Sequence, residues 1–293
     1  PPPTPGHPRV RKTCLAPFSH LAPVAAQKTG RAAFRPIDRS RRLANVARRT
    51  LALMVLLLAF SGAVPAAGAQ AVLPDLGMAK LSTVTIDTTT LPGHRLLRYT
   101  ATMVNIGQGA LEVRGTRPDT SSSMTVAQRV YNDDGTFTDV SKPIRMQYAG
   151  DGHNHWHSLD MEGGALVRLD NGKRVGALAK HGFCFFDNVA FRLTLANAPQ
   201  APHYTGQNSC AFSTPAALSV IMGLSIGWGD MYSAQTNYQW IDITGLPNGR
   251  YRLTATADPK HLVSEASYSN NSASARIRIN GTSVTVLSYS PGA

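Results

Sequence analysis

Residues 126–140 read Val-Ala-Gln-Arg-Val-Tyr-Asn-Asp-Asp-Gly-Thr-Phe-Thr-Asp-Val. Residues 126–131 and 136–140 are rich in β-branched and aromatic side chains, which fit a pleated, half-buried surface. Between them, Asn132-Asp133-Asp134-Gly135 supplies residues that tolerate left-handed backbone, so the stretch reads as a β-hairpin. The same grammar extends in both directions. Residues 95–104 and 110–114 are two β-rich runs separated by a turn at 105–109. A second hairpin is expected from 165–169 and 174–178, across Asp170-Asn171-Gly172. Residues 239–244, 250–257 and 274–279 alternate polar and apolar, punctuated by Gly245-Leu246-Pro247-Asn248-Gly249.

No long apolar stripe of helical period appears after residue 70. Residues 215–222 are the one place where a short helix is expected, and 199–214 reads as a long loop. Short, regularly spaced strands with Gly, Asn and Pro turns predict a mainly β fold. The expected architecture is a single domain built as an antiparallel β-sandwich or open barrel, with long loops and little helix.

Into this pattern falls Asp151-Gly152-His153-Asn154-His155-Trp156-His157. On an extended strand, His153, His155 and His157 leave the same face, and Trp156 points to the other. Clustered neutral imidazoles suit Cu, Zn, Fe or Ni better than Mg or Ca. The outer members of a straight triplet lie roughly 13 Å apart. One ion held by all three therefore requires a bend or bulge, for which Gly150 and Gly152 are placed.

The net charge of +12 suggests a nucleic-acid binder until it is divided along the chain. Residues 1–69 carry 11 Lys and Arg against the single acid Asp38, whereas 70–293 carry 18 basic and 16 acidic residues. The basicity belongs to a leader, and no nucleic-acid motif accompanies it, so nucleic acid is discounted as a partner. Arg41, Arg42, Arg48 and Arg49 precede an apolar stretch from Leu51 to Phe60, and Ala67-Gly68-Ala69 fits a small-residue cleavage site. Residues 1–69 are thus expected to be a disordered basic leader plus signal peptide, cut after Ala69, leaving no stable membrane span and a secreted domain at 70–293. Arg48-Arg49-Thr50-Leu51 loosely matches a twin-arginine signal. Only Cys184 and Cys210 follow the cut, and an even pair in an exported chain implies one disulfide.

Two further neighbourhoods complete a pattern. One is Leu178-Ala179-Lys180-His181-Gly182-Phe183-Cys184-Phe185-Phe186-Asp187. The other is Gly227-Trp228-Gly229-Asp230-Met231-Tyr232, followed by Tyr238-Gln239-Trp240-Ile241-Asp242-Ile243. Following the His-x-His-x-His stretch in this order, they resemble the catalytic domain of the lysyl oxidase family, from about Leu96 to Ile279. The resemblance implies a Cu(II)-dependent amine oxidase of the protein-lysine 6-oxidase type. Its copper ligands match His153, His155 and His157. Lys180 and Tyr232 match the residues that become lysine tyrosylquinone, and the implied partners are a primary amine and O₂.

The resemblance leaves the proton-abstracting base open among Asp160, Asp187, Asp230 and Asp242, with Asp230 the first choice because it is two residues from Tyr232. Tyr238 is the alternative quinone precursor and Tyr204 a weaker one. His181 is a candidate fourth ligand or acid–base partner, more simply read as a surface histidine, and His203 and His261 are assigned nothing. Asn270-Asn271-Ser272 and Asn280-Gly281-Thr282 are sequons meaningful only in a eukaryotic host. Animal members of the family are disulfide-rich, and their Lys–Tyr interval is shorter than the 52 positions here. These departures suit a compact, exported relative of bacterial type. The competing classes are a non-catalytic extracellular copper-binding module and, more weakly, a zinc hydrolase with an open water position.

Overall fold

The computed structural model describes residues 68–149 and 152–293. The expected leader lies outside the described residues as far as position 67, and so does Gly150. Among the described residues there are strands and turns but no helix, and none is long and apolar enough to cross a membrane.

The architecture is mainly β, and the described residues form four open antiparallel sheets with no closed barrel among them. At its centre runs Leu96–Asn105, ten residues long and buried along almost its whole length. One half pairs with Trp228–Tyr232 and Leu76–Met78, the other with Trp240–Asp242 and Ser82–Asp87. That register sets Tyr232 opposite Ala101 and Trp240 opposite Arg98. Two segments of the sequence pattern are thereby fixed side by side on one strand.

The hairpin at 126–140 forms as Thr125–Asn132 paired with Phe137–Ser141, with Leu111–Thr116 and Ser219–Leu224 beyond it. The second hairpin forms as Glu162–Arg168 with Arg174–Ala177, in a sheet continued by Gly249–Ala257, Ser272–Asn280 and Ser283–Tyr289. A small sheet sets His155–Leu159 between Met146–Ala149 and Gly182–Phe183. The inner faces share one apolar core, which includes Tyr99, Phe183, Phe185, Met222 and Tyr251.

The short helix expected over 215–222 does not form. Val220, Met222 and Leu224 alternate inward, and the strand Ser219–Leu224 pairs along Leu111–Thr116. The helix propensity of Ala216 and Ala217 is a weak preference, which burial and sheet pairing override. Residues 199–214 carry no strand, as expected of a long loop.

Candidate metal centre and the lysine–tyrosine pair

The histidine triplet is not one straight strand. Only His155 and His157 belong to His155–Leu159, and His153 stands in the turn ahead of it. Gly152 at φ +95° and Asn154 at φ +51° make the turn. The bend gathers one ligating atom from each ring to within 4.8 Å of the others.

The rings are held in a usable state. His155 Nδ1 donates to the backbone oxygen of His153 at 2.6 Å, which leaves Nε2 of His155 with its lone pair. That Nε2 lies 2.9 Å from Nε2 of His157. A metal with bonds of about 2.0–2.1 Å to imidazole sets neighbouring ligand nitrogens a little over 3 Å apart, so the trio fits such an ion with little rearrangement. Among the described residues, the cluster offers carboxylate-loving Mg or Ca no oxygen donor.

The Cys184–Cys210 disulfide forms and anchors a strap across this strand. The oxygen of Cys210 accepts from the amide of Trp156 at 2.9 Å, and the amide of Ser213 donates to Asn154 at 2.7 Å. Trp156 Nε1 donates to the oxygen of Thr214 at 3.0 Å. The ring of Phe212 rests on His155 with centroids 4.5 Å apart. Cys210, Ala211 and Ser213 all adopt positive φ, a costly backbone that tertiary anchoring sustains.

Lys180 is buried, with Nζ 5.4 Å from the ring centre of Tyr232 and 5.3 Å from that of Phe183. The phenol of Tyr232 donates to the backbone oxygen of Cys184 at 3.0 Å. Burial, and next the Asp230 carboxylate, hold this phenol well above its ordinary range. Asp230 is 1 % exposed and accepts from Asn188 Nδ2. Burial pushes its carboxyl up to about 7, against the opposing pull of Tyr232, Asn188 and Lys180. A cavity of about 250 Å³ is bordered by His153, His155, Lys180, Asp230, Tyr232 and Phe212.

The other sequence candidates stand outside that cavity, although His181 and Tyr238 border a neighbouring one of about 310 Å³ with His157 and Lys180. Asp187 accepts from Ser225 and from the amides of His203 and Tyr204, pinning the long loop. Asp160 pairs with Lys260 at 2.9 Å, and Asp242 with His94 and Thr244. His181 is exposed and stands outside the ligand cluster. Tyr238 is exposed and packs on Trp240, while the phenol of Tyr204 donates to Glu112.

Three neighbours escaped the sequence reading. Asn188 clamps the strand of Asp230 by accepting from the amide of Met231 at 2.8 Å. Phe212 covers His155. Glu162 is buried and borders a cavity with Lys180; positions 162, 164 and 166 face inward along one strand, which puts the acid on the core face, an alternation that the sequence Glu-Gly-Gly-Ala-Leu does not display.

The model of the lysyl oxidase family matches residues 124–289, a span containing the histidine trio, Lys180, Asp230 and Tyr232. The pig protein-lysine 6-oxidase (Sus scrofa) is 32% identical over 143 residues, covering 47% of this chain and 51% of that protein. The human protein-lysine 6-oxidase is 31% identical over 143 residues, 47% of this chain and 30% of its own length. The human lysyl oxidase homolog 1 is 31% identical over 137 residues, 45% and 20% of the two chains. The match thus spans about half of the pig protein and under a third of the two human ones.

Proposed function

Because the chain belongs to the lysyl oxidase family, we propose that residues 70–293 form a copper- and quinone-dependent oxidase of primary amines, secreted after removal of a leader ending at Ala69. Copper(II) and a lysine tyrosylquinone built from Lys180 and Tyr232 would supply a redox metal and a two-electron acceptor renewed by O₂, giving aldehyde, hydrogen peroxide and ammonia. The substrates are lysine side chains of extracellular proteins or small amines.

The chain's own residues have separable tasks. His153, His155 and His157 hold the ion, with the His153 carbonyl fixing the tautomer of His155. The fold keeps the Lys180 nitrogen beside the Tyr232 ring, sparing the loss of freedom that a chance encounter would require. Asp230, oriented by Asn188 and bordering the same cavity, is the base that removes a proton from the carbon next to the substrate nitrogen. The strap carrying Phe212 limits water at the ligand cluster.

The carrying observation is the position of Lys180 Nζ over the Tyr232 ring, in a cavity shared with His153 and His155. The test is peptide mass spectrometry of protein exposed to copper in air. A joined Lys180–Tyr232 peptide, together with O₂-dependent peroxide release from a panel of amines, is the expected result. Copper bound tightly with the two peptides separate would reduce the domain to a metal-binding module.

A further inference from the structure

Glu162 is an anomaly of the interior. It begins the strand Glu162–Arg168, opposite Ala257, and is only 3 % exposed. Neither of its carboxylate oxygens has a partner in close hydrogen-bond geometry among the described residues. The amide of Gln239, also buried, stands beside it at the edge of that geometry. Burying an unsatisfied carboxyl is costly, and native structures hold few such groups.

Its surroundings suggest a use. Lys180 and Asp230 face Glu162 electrostatically, and so do the phenols of Tyr99 and Tyr232. Glu162 and Lys180 both border a second cavity of about 350 Å³, whose other polar walls include Arg174, His181 and the Asp160–Lys260 pair. Lys180 therefore borders three spaces among the described residues. One holds Tyr232, Asp230 and two of the histidines, a second holds Glu162, and a third holds His157, His181 and Tyr238.

An ammonium has no lone pair and cannot bond to a ring carbon. Before Lys180 can join Tyr232 it must lose a proton, and that proton needs an acceptor which does not compete for the ring. Asp230 borders the reaction cavity itself. Glu162 borders only the far one.

We propose that Glu162 takes the proton of the Lys180 ammonium and holds it in the far cavity, so that a neutral amine faces the Tyr232 ring. The inference rests on the reading of Lys180 and Tyr232 as the quinone precursors. The step is a proton transfer alone. Lys180–NH₃⁺ and Glu162–COO⁻ become Lys180–NH₂ and Glu162–COOH, with no electrons gained or lost. Glu162 acts through Lys180 and is a positioning residue. Burial and the charge of Asp230 push its carboxyl up to about 8, so the ionised share able to accept the proton grows as pH rises toward 8.

The test follows the joined peptide over time after copper is added in air to metal-free protein, at pH 6, 7, 8 and 9. Glu162→Gln is expected to match wild type near pH 6, where the wild-type carboxyl already carries a proton, and to form the joined peptide at least tenfold more slowly at pH 8–9, where that carboxyl is ionised. Glu162→Asp should recover part of the rate, and copper affinity, read by chelator competition, should be unchanged. Infrared spectra of the wild-type protein should carry a protonated-carboxyl band that Glu162→Gln lacks. A variant rate equal to wild type at every pH overturns the inference. So does an equal deficit at every pH, or faster joining at low pH, which would make Glu162 a simple counter-ion. Should Glu162→Gln fail to fold, Glu162→Asp decides on the same pH criterion. If wild type itself never joins the two peptides, the oxidase reading fails and takes this inference with it.

Discussion

Gly182 lies against the ring of His157: a Cβ at this position would stand 2.5 Å from Nδ1 and 2.8 Å from Cγ. Gly182 is also paired with Leu159 in the small sheet, so its backbone has no freedom to retreat. Gly182→Ala must therefore turn the His157 ring away from its partners. Disturbing the support of a ligating histidine typically costs 10- to 100-fold in metal affinity, and a loss of that size is expected in a chelator competition. Unchanged affinity would show that His157 does not ligate in this rotamer.

The strap over the metal strand depends on the Cys184–Cys210 bridge, which closes a 26-residue interval. Replacing both cysteines by serine is expected to cost about 3.5 kcal/mol in denaturant unfolding, from the freedom returned to the unfolded chain. A second effect is local. Without the anchor, the contacts of Cys210 and Ser213 with Trp156 and Asn154 loosen, and so does the bend that gathers the histidines. Copper affinity should fall in the folded double variant, whereas a remote destabilising substitution of equal size should leave it intact.

The histidine triplet was readable because alternation places side chains on one face whatever the rest of the chain does. The bend is expected at Gly150 and Gly152, and Gly152 supplies part of it at φ +95°, whereas its continuation through Asn154 at φ +51° is not anticipated. The same limit applies to Cys210, Ala211 and Ser213, whose conformations are imposed by the disulfide and by hydrogen bonds to a distant strand. Lys180, Asp230 and Tyr232 were legible as a pattern, but their meeting depends on the register of Trp228–Tyr232 along Leu96–Asn105. Glu162 escapes the pattern because the strand is expected only from residue 165, whereas it begins at the glutamate. The helix expected at 215–222 failed for the complementary reason, with local propensity giving way to a long-range partner.

Asp230 links activity and stability to pH with opposite signs. As a base it must be ionised, so kcat/KM for an amine should rise as pH passes through about 7, the value to which burial pushes this carboxyl. For folding, the raised carboxyl favours the native state while protonated. That contribution is complete below the unfolded value near 3.8 and is lost as pH climbs through about 7. Asp230→Asn should flatten both profiles, lowering turnover by roughly 100-fold or more while making thermal stability less sensitive between pH 5 and 8. A rate profile unchanged in shape would assign the proton transfer to another group.

Phe212 is 38 % exposed, yet it is held firmly, with its ring on His155 and its edge toward Phe186 at 6.3 Å. It borders the cavity that contains Lys180 and Tyr232. A large apolar ring at such a mouth gives an incoming amine a surface on which to bury its hydrocarbon part. Methylamine has almost no such part, whereas benzylamine and hexylamine do. Phe212→Ala is expected to raise KM for the two larger amines roughly 5- to 20-fold, the equivalent of about 1–2 kcal/mol of lost apolar contact. Turnover at saturation should change less, because the reacting groups do not move, and Phe212→Leu should recover most of the loss. Initial rates of peroxide release over the three amines measure this directly. A KM increase of the same size for methylamine would mean instead that Phe212 acts by supporting His155, and the metal affinity of the variant would then fall as well.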